Sequence, residues 1–317
     1  MGMNFIAILS KEHEEIPFAE LRAILEGEDI KFNFKRIGNV IILESESIGK
    51  LFKRASMIKE GGRILQKVND PSDISLDLGE KTFSVRYRNF TDKREDPREV
   101  ESIVGSRIRG RVNLRKPEIE LLLINIGTYY LVINEREDPS FYSRINEKRP
   151  FKTNLALQPK MARLLVNLAR VKEGDRILDP FCGGGSILIE ASMMGMNAEG
   201  IDISKKMYHG ARLNLMHFGL NAKVYLGDVS TALSLGKFNA IVTDPPYGRG
   251  SSTNKEKVEQ LYKRSFNIFR KIMDKGHLAI ILPSETYIDI ARENFTLKEK
   301  YYMKVHRSLV RYITVLV

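Results

Sequence analysis

Two stretches of the 317-residue chain carry residue types that could act on a ligand. The first is Asp244-Pro245-Pro246-Tyr247, which follows the apolar run Ala240-Ile241-Val242 and continues into Gly248-Arg249. Successive prolines fix φ and remove two N–H donors, so the carbonyls before and between them lack sheet partners and can face a ligand. Asp244 and a prolyl carbonyl suit the two hydrogens of an exocyclic amine on a planar base, and Tyr247 suits its ring. A proline-rich turn closing a strand is the competing reading of Pro-Pro alone. The second stretch is Asp179-Pro180-Phe181-Cys182-Gly183-Gly184-Gly185, whose three glycines let backbone approach a ligand closely. It lacks both Gly-x-Gly-x-x-Gly and Gly-Lys-Ser/Thr, which weighs against dinucleotide and triphosphate sites. Asp202 ends the next apolar run, where a carboxylate can take both ribose hydroxyls, and Asp228 ends the third, where it could accept from an adenine amine. A strand-end aspartate is as often a helix cap. Three such acids followed by Asp-Pro-Pro-Tyr at a fourth strand end point to a nucleoside site at the carboxyl edge of a sheet.

The elements that must hold these residues follow from periodicity. From Gln158 onward, helices and buried strands alternate. Helices are expected over 159–170, 186–195, 205–220, 256–276 and 287–295, and strands over 175–181, 197–204, 222–227, 238–243 and 277–283. Two final runs, 299–305 and 311–317, read as an antiparallel pair, so the fold class is α/β, doubly wound, with a terminal hairpin. Upstream, 3–9 reads as a strand, 18–26 as a helix, 29–44 as two strands turning at Gly38-Asn39, and 48–59 as a second helix. That βαββα start is similar to a ferredoxin-like module. Phe83, Val85 and Tyr87 alternate with Arg86 and Arg88, Asp96-Pro97 opens a helix expected over 98–109, and 118–134 reads as a hairpin. Residues 135–153 read as a polar linker. The expected domains are 1–60, 61–143, a linker at 144–157, and 158–317.

The formal charge of +11 makes polyanions plausible partners, and its distribution sharpens this. Between Lys81 and Lys116 eleven Lys/Arg face five acids, over half of the net charge in 36 residues. Arg86, Arg88, Arg98, Arg107, Arg109 and Arg111 are therefore candidate nucleic-acid contacts, with a solvated outer face as the alternative. Arg249 is a candidate for a substrate phosphate. The lone Cys182 excludes an internal disulfide, the five histidines lack metal-ligand spacing, and no metal site is expected. With no membrane-length apolar run and no signal-like amino terminus, the protein is expected in the cytoplasm.

Asp179-Pro-Phe-Cys-Gly-Gly-Gly, Gly200-Ile-Asp-Ile-Ser, Gly227-Asp-Val and Asp244-Pro-Pro-Tyr-Gly-Arg resemble motifs I to IV of amino-group, S-adenosylmethionine-dependent methyltransferases. Pro159-Lys-Met-Ala-Arg is similar to motif X, and Val112-Asn-Leu-Arg-Lys-Pro-Glu-Ile-Glu-Leu to the core of a THUMP domain, a tRNA-binding module. Over nearly the whole chain the sequence resembles the archaeal tRNA guanosine-10 N2-methyltransferase family. The resemblance implies S-adenosyl-L-methionine as cofactor and tRNA as partner, the protein acting alone or with a small activating protein. It implies cofactor contacts at Thr153, Gln158, Asp179, Pro180, Cys182, Gly183, Gly185, Asp202, Ile203, Asp228, Val229 and Asp244, and catalysis by Asp244, Pro245, Pro246 and Tyr247. Another tRNA or ribosomal guanosine, an amino group of DNA, and noncatalytic tRNA binding stay open as alternatives.

Overall fold

The computed structural model describes residues 3–136, 139–154, 156–247, 257–306 and 309–317. They divide into two units. The first comprises the described residues up to Pro17, Ile30–Lys53 and those from Met57 to 136, the second Phe18–Asp29, Arg54–Ser56 and the described residues from 139 onward. The elements up to residue 136 are β1 (Met3–Leu9), α1 (Ile16–Gly27), β2 (Phe32–Ile37), β3 (Val40–Ser45), α2 (Leu51–Arg54), β4 (Ile58–Val68), β5 (Leu76–Asn89), α3 (Pro97–Ser106), β6 (Ile108–Val112), β7 (Ile119–Asn125), β8 (Tyr129–Ile133) and β9 (Glu135–Arg136).

In the first unit the described strands form one sheet in the order β2-β3-β1-β4-β8-β7-β5-β6, with β9 beside β4. The hairpin expected over 118–134 is present as β7 and β8. Two helix expectations are corrected by pairing. Of residues 48–59 only α2 is helical; Ile58 and Glu60 sit opposite Leu9 and Ile8 of β1, and β4 continues into pairing with β8. Ladders on both sides of β4 outweigh the helical spacing of Leu51, Phe52, Ala55 and Ile58. The helix expected to reach residue 109 begins as read, with the Asp96 carboxylate accepting from the Arg98 N–H at 2.9 Å and Pro97 in the first turn. It stops at Ser106, and β6 then pairs parallel with β5, Asp77 opposite Arg109 and Thr82 opposite Arg111. Arg109 and Arg111 therefore lie on a strand.

The second unit adds α4 (Pro159–Leu168), β10 (Arg176–Asp179), α5 (Ser186–Met193), β11 (Asn197–Asp202), α6 (Lys205–His217), β12 (Lys223–Leu226), β13 (Phe238–Thr243), α7 (Val258–Ile272), β14 (Met273–Leu282), α8 (Glu285–Arg292), β15 (Leu297–His306) and β16 (Leu309–Leu316). The strand order is β12-β11-β10-β13-β14-β16-β15, parallel through β14, with β16 and β15 antiparallel as expected. The α/β reading of this region is borne out. The chain winds outward from β10 to β12 and resumes on the other side of β10 at β13, so the switch point of the sheet lies between β10 and β13. Leu178, Ile241, Leu278 and Ile280 of the sheet pack with Phe266 and Phe269 of α7 in the core beneath it.

The polar stretch 139–153 is pinned rather than free. Arg144 donates from Nε to Glu190 at 2.6 Å, Arg163 donates to the same carboxylate at 2.9 Å, and Arg149 Nη1 donates to Ser186 Oγ at 2.7 Å. All three arginines and Glu190 are buried. Their polarity made the segment read as solvated; Glu190 and Ser186, which Arg144 and Arg149 reach, lie too far along the chain for local pattern to reveal.

Candidate active site

The glycine loop between β10 and α5 folds where the sequence placed it, and its carboxylates converge. Gly183 and Gly185 have φ of 49° and 84°, the left-handed region that glycine enters without strain. A side chain at Gly183 would project into open space, and Gly183 lines a cavity of about 320 Å³. The Gly183 N–H donates to Asp202 Oδ2 at 2.9 Å, and the Ser204 N–H donates to Asp202 Oδ1 at 2.8 Å, so the carboxylate is fixed at the end of β11. Burial pushes Asp202 above the usual carboxylate range despite those two bonds. Asp179, 2% exposed at the end of β10, accepts from Thr243 Oγ1 at 2.8 Å and from the Phe181 N–H at 3.2 Å. Burial first, then the charges of Asp244 and Asp202, raises its pKa to about 7.

Asp244 follows β13 directly across the switch point. It lines the same cavity as Asp179 and Asp202, and Tyr247 Oη donates to its Oδ1 at 2.5 Å. Burial raises its pKa, opposed by the tyrosine hydroxyl and the charge of Arg311. Three carboxylates thus face one cavity in surroundings that disfavour their ionisation, which suits a ligand bearing positive charge. S-adenosylmethionine, with an ammonium and a sulfonium on a nucleoside, fits those acceptors.

Of the other expected cofactor contacts, Thr153, Pro180, Cys182, Ile203, Asp228 and Val229 line the cavity with Gly183. Asp228 Oδ1 accepts from the Ser230 N–H at 3.0 Å and Oδ2 from Arg264 Nη1 at 2.7 Å, so it also serves as the helix cap allowed above. Gln158 and Gly185 are not in the lining: Gln158 is exposed at the start of α4, where Ala156 and Leu157 line the cavity instead, and Gly185 backs onto Ala211 of α6. Cys182 is 5% exposed, and burial raises its thiol well above its ordinary value. Pro246 lines the cavity with Asp244; Pro245 borders the apolar packing of Phe181, Tyr262 and Phe266. Arg249 lies outside the described residues.

Several contributors had no sequence signal. Thr243 ties Asp179 to the neighbouring strand, and Arg264 reaches Asp228 from α7. Asn214 of α6, fully buried, accepts from the Phe151 N–H at 2.9 Å and donates to the carbonyls of Gly184 and Phe151 at 2.9 and 3.1 Å. It thereby fastens the glycine loop to the segment bearing Thr153. In the first unit, four expected RNA contacts have acidic partners: Arg88 with Glu60 at 2.6 Å, Arg109 with Asp77 at 3.1 Å, Arg86 with Glu101 at 4.0 Å, and Arg111 with Glu80. Arg98 and Arg107 are exposed.

A doubly wound sheet with a glycine loop, strand-end acids and Asp-Pro-Pro-Tyr at its switch point defines a Rossmann-like methyltransferase. The family model described as RMKL-like, methyltransferase domain, matches residues 146–313. The tRNA (guanine(10)-N2)-dimethyltransferase of Methanothermobacter thermautotrophicus is 36% identical, covering 99% of both chains. The enzyme of that name from Pyrococcus abyssi is 33% identical over 95% of this chain and 96% of its own. The chain belongs to this methyltransferase family. Among solved structures, TrmN from Thermus thermophilus superposes with a TM-score of 0.54 at 17% identity over 99% of each chain, which bears on the fold alone. Among the described residues no helix is long and apolar enough to cross a membrane.

Proposed function

We propose that the protein methylates the exocyclic N2 of a guanosine in tRNA, at position 10 of the D-stem, giving N2-methylguanosine and, in a second round, N2,N2-dimethylguanosine. The observation that carries this is the sharing of one cavity by Asp244, Asp202 and Gly183, so the amine-accepting motif faces the nucleoside-binding loop. The full-length relatives support the substrate, since both are named for guanine 10 of tRNA.

S-adenosyl-L-methionine supplies an electrophilic methyl group on its sulfonium. Asp179 would hold the ammonium of its methionine portion, the Gly183 backbone its carboxyl end, Asp202 the ribose hydroxyls and Asp228 the adenine amine. Guanine N2 is a weak nucleophile because its lone pair is delocalised into the ring. Hydrogen bonds from N2 to Asp244 and the Pro245 carbonyl favour a pyramidal nitrogen and stabilise the positive charge that develops there. Fixing N2 in line with the methyl supplies much of the remaining acceleration. The proton leaves N2 after transfer, and Asp244, whose affinity for protons is raised by burial, is placed to relay it. A stem guanine must be flipped out, costing a few kcal/mol that stacking on Tyr247 and the grip of the basic residues offset. Residues 61–143 serve as a THUMP-like tRNA-holding module in this reading, with Arg98, Arg107, Arg109 and Arg111 as phosphate contacts.

The test is methyl transfer from labelled S-adenosylmethionine to an unmodified tRNA transcript, followed by nucleoside mass spectrometry and site mapping. N2-methylated guanosine at position 10, lost in Asp244→Ala while cofactor affinity persists, is the expected result. Cofactor binding without transfer to any tRNA would favour a noncatalytic role, and undiminished turnover by Asp244→Ala would remove Asp244 from the mechanism.

A further inference from the structure

Asp-Pro-Pro-Tyr explains how an exocyclic amine is received but not why it should be guanine's. Adenine N6, cytosine N4 and guanine N2 all offer two hydrogens to the same carboxylate and carbonyl. Selectivity needs a group that reads something else on the base.

Arg311 is placed to do so. It lies near the start of β16, which runs antiparallel to β14 with Tyr312 opposite Leu282. Reversal of direction brings the first residues of β16 to the edge where the parallel strands end and Asp244 begins. The guanidinium carbon stands 5.7 Å from the centre of the Tyr247 ring, and its charge acts on both Asp244 and Tyr247. Arg311 Nε is buried with no hydrogen-bond partner among the described residues. A buried charged donor without an acceptor is costly; Arg54 Nε and Arg149 Nη2 are also without one, but of these arginines Arg311 is the one that stands against Tyr247 and acts on Asp244. An arginine that rests on an aromatic ring with a donor left over is suited to an acceptor arriving with a ligand.

Guanine brings one. When its N2 meets Asp244, the N1–H lies beside it and the carbonyl O6 follows on the same edge. We propose that Arg311 is a specificity-determining residue that donates a hydrogen bond to O6 of the target guanine, while its guanidinium stays against Tyr247. This rests on the reading of the reaction given above. Arginine is a frequent partner of guanine O6, and a hydrogen bond from a charged donor discriminates by about 10- to 100-fold.

The experiment compares tRNA carrying guanine at the target position with tRNA carrying 2-aminopurine there, which keeps the amine and lacks O6. The wild-type enzyme, Arg311→Ala and Arg311→Lys are assayed for kcat/KM on both, with cofactor Kd and tRNA Kd as controls. Arg311→Ala is expected to lose about 10- to 100-fold on guanine and far less on 2-aminopurine, so the preference collapses. Arg311→Lys, which keeps a charge near Asp244 and loses the planar fork, is expected to recover part of the guanine rate. Equal losses on both bases would overturn the proposal, because Arg311 would then act only through Asp244 or the fold. If Arg311→Ala does not fold, the same ratio is read on Arg311→Lys. A wild-type enzyme that methylates no guanosine N2 would instead sink the reading of the reaction and this proposal with it.

Discussion

Asp179→Asn separates what the cavity does for the fold from what it does for a ligand. The Asp179 carboxyl is 2% exposed, and burial together with Asp244 and Asp202 holds its pKa at about 7 against 3.8 for a free side chain. A native pKa above the unfolded one means that the folded state binds the proton more tightly. Its stabilising contribution is therefore complete below about pH 4 and is lost as pH rises through about 7. Over three units (7 − 3.8) at about 1.36 kcal/mol each, the upper bound on that loss is about 4 kcal/mol. Asparagine still accepts from Thr243 and from the Phe181 N–H but never ionises. The cofactor-free variant should thus match the wild type near pH 4 and exceed it above pH 7 by up to that amount, while its affinity for S-adenosylmethionine falls. Urea unfolding from pH 4 to 8.5, following the transition that the cofactor shifts, provides the curves. Parallel wild-type and variant curves would refute the reasoning, since they would mean that Asp179 is not held in a medium hostile to its charge.

Gly210→Ala acts on cofactor affinity at a distance: a Cβ there would stand 2.2 Å from the Phe151 ring, so that ring must shift two residues before Thr153, which lines the cavity. Weaker cofactor binding with unchanged secondary structure is the expected outcome, read by titration calorimetry and circular dichroism. Glu190→Ala leaves Arg144 and Arg163 buried without their carboxylate and should cost about 3–5 kcal/mol in denaturant unfolding. Replacing Arg107, Arg109 and Arg111 together should weaken tRNA binding and flatten its salt dependence by about one unit of slope for each phosphate left without its arginine. The existing pairs with Asp77 and Glu80 mean that a smaller change would assign Arg109 and Arg111 to those acids.

Much of the catalytic unit was legible because its signals are local. Alternating apolar runs, Gly183 to Gly185, and acids at successive strand ends give β10 to β13 and their loops without knowledge of any partner. Phe238–Thr243 was read with its boundaries correct, since Pro245 cannot continue a ladder and Lys237 precedes an apolar run. The stretch 48–59 misled because its helical apolar spacing does not outweigh pairing on two sides of β4, and 135–153 because buried arginines have the composition of a solvated loop.

By itself the sequence determined which residues stand at strand ends and which loop lets backbone approach a ligand, because turn chemistry and periodicity are set within a few neighbours. Tertiary structure alone decided which of them share a cavity. The order of strands puts Asp179 beside Asp244, the antiparallel return of β16 sets Arg311 against Tyr247, and α7 sends Arg264 to Asp228. It also decided the charge state of the site, for the pKa of Asp179 depends on burial and on Asp202 and Asp244, neighbours brought from distant strand ends that chain order does not encode.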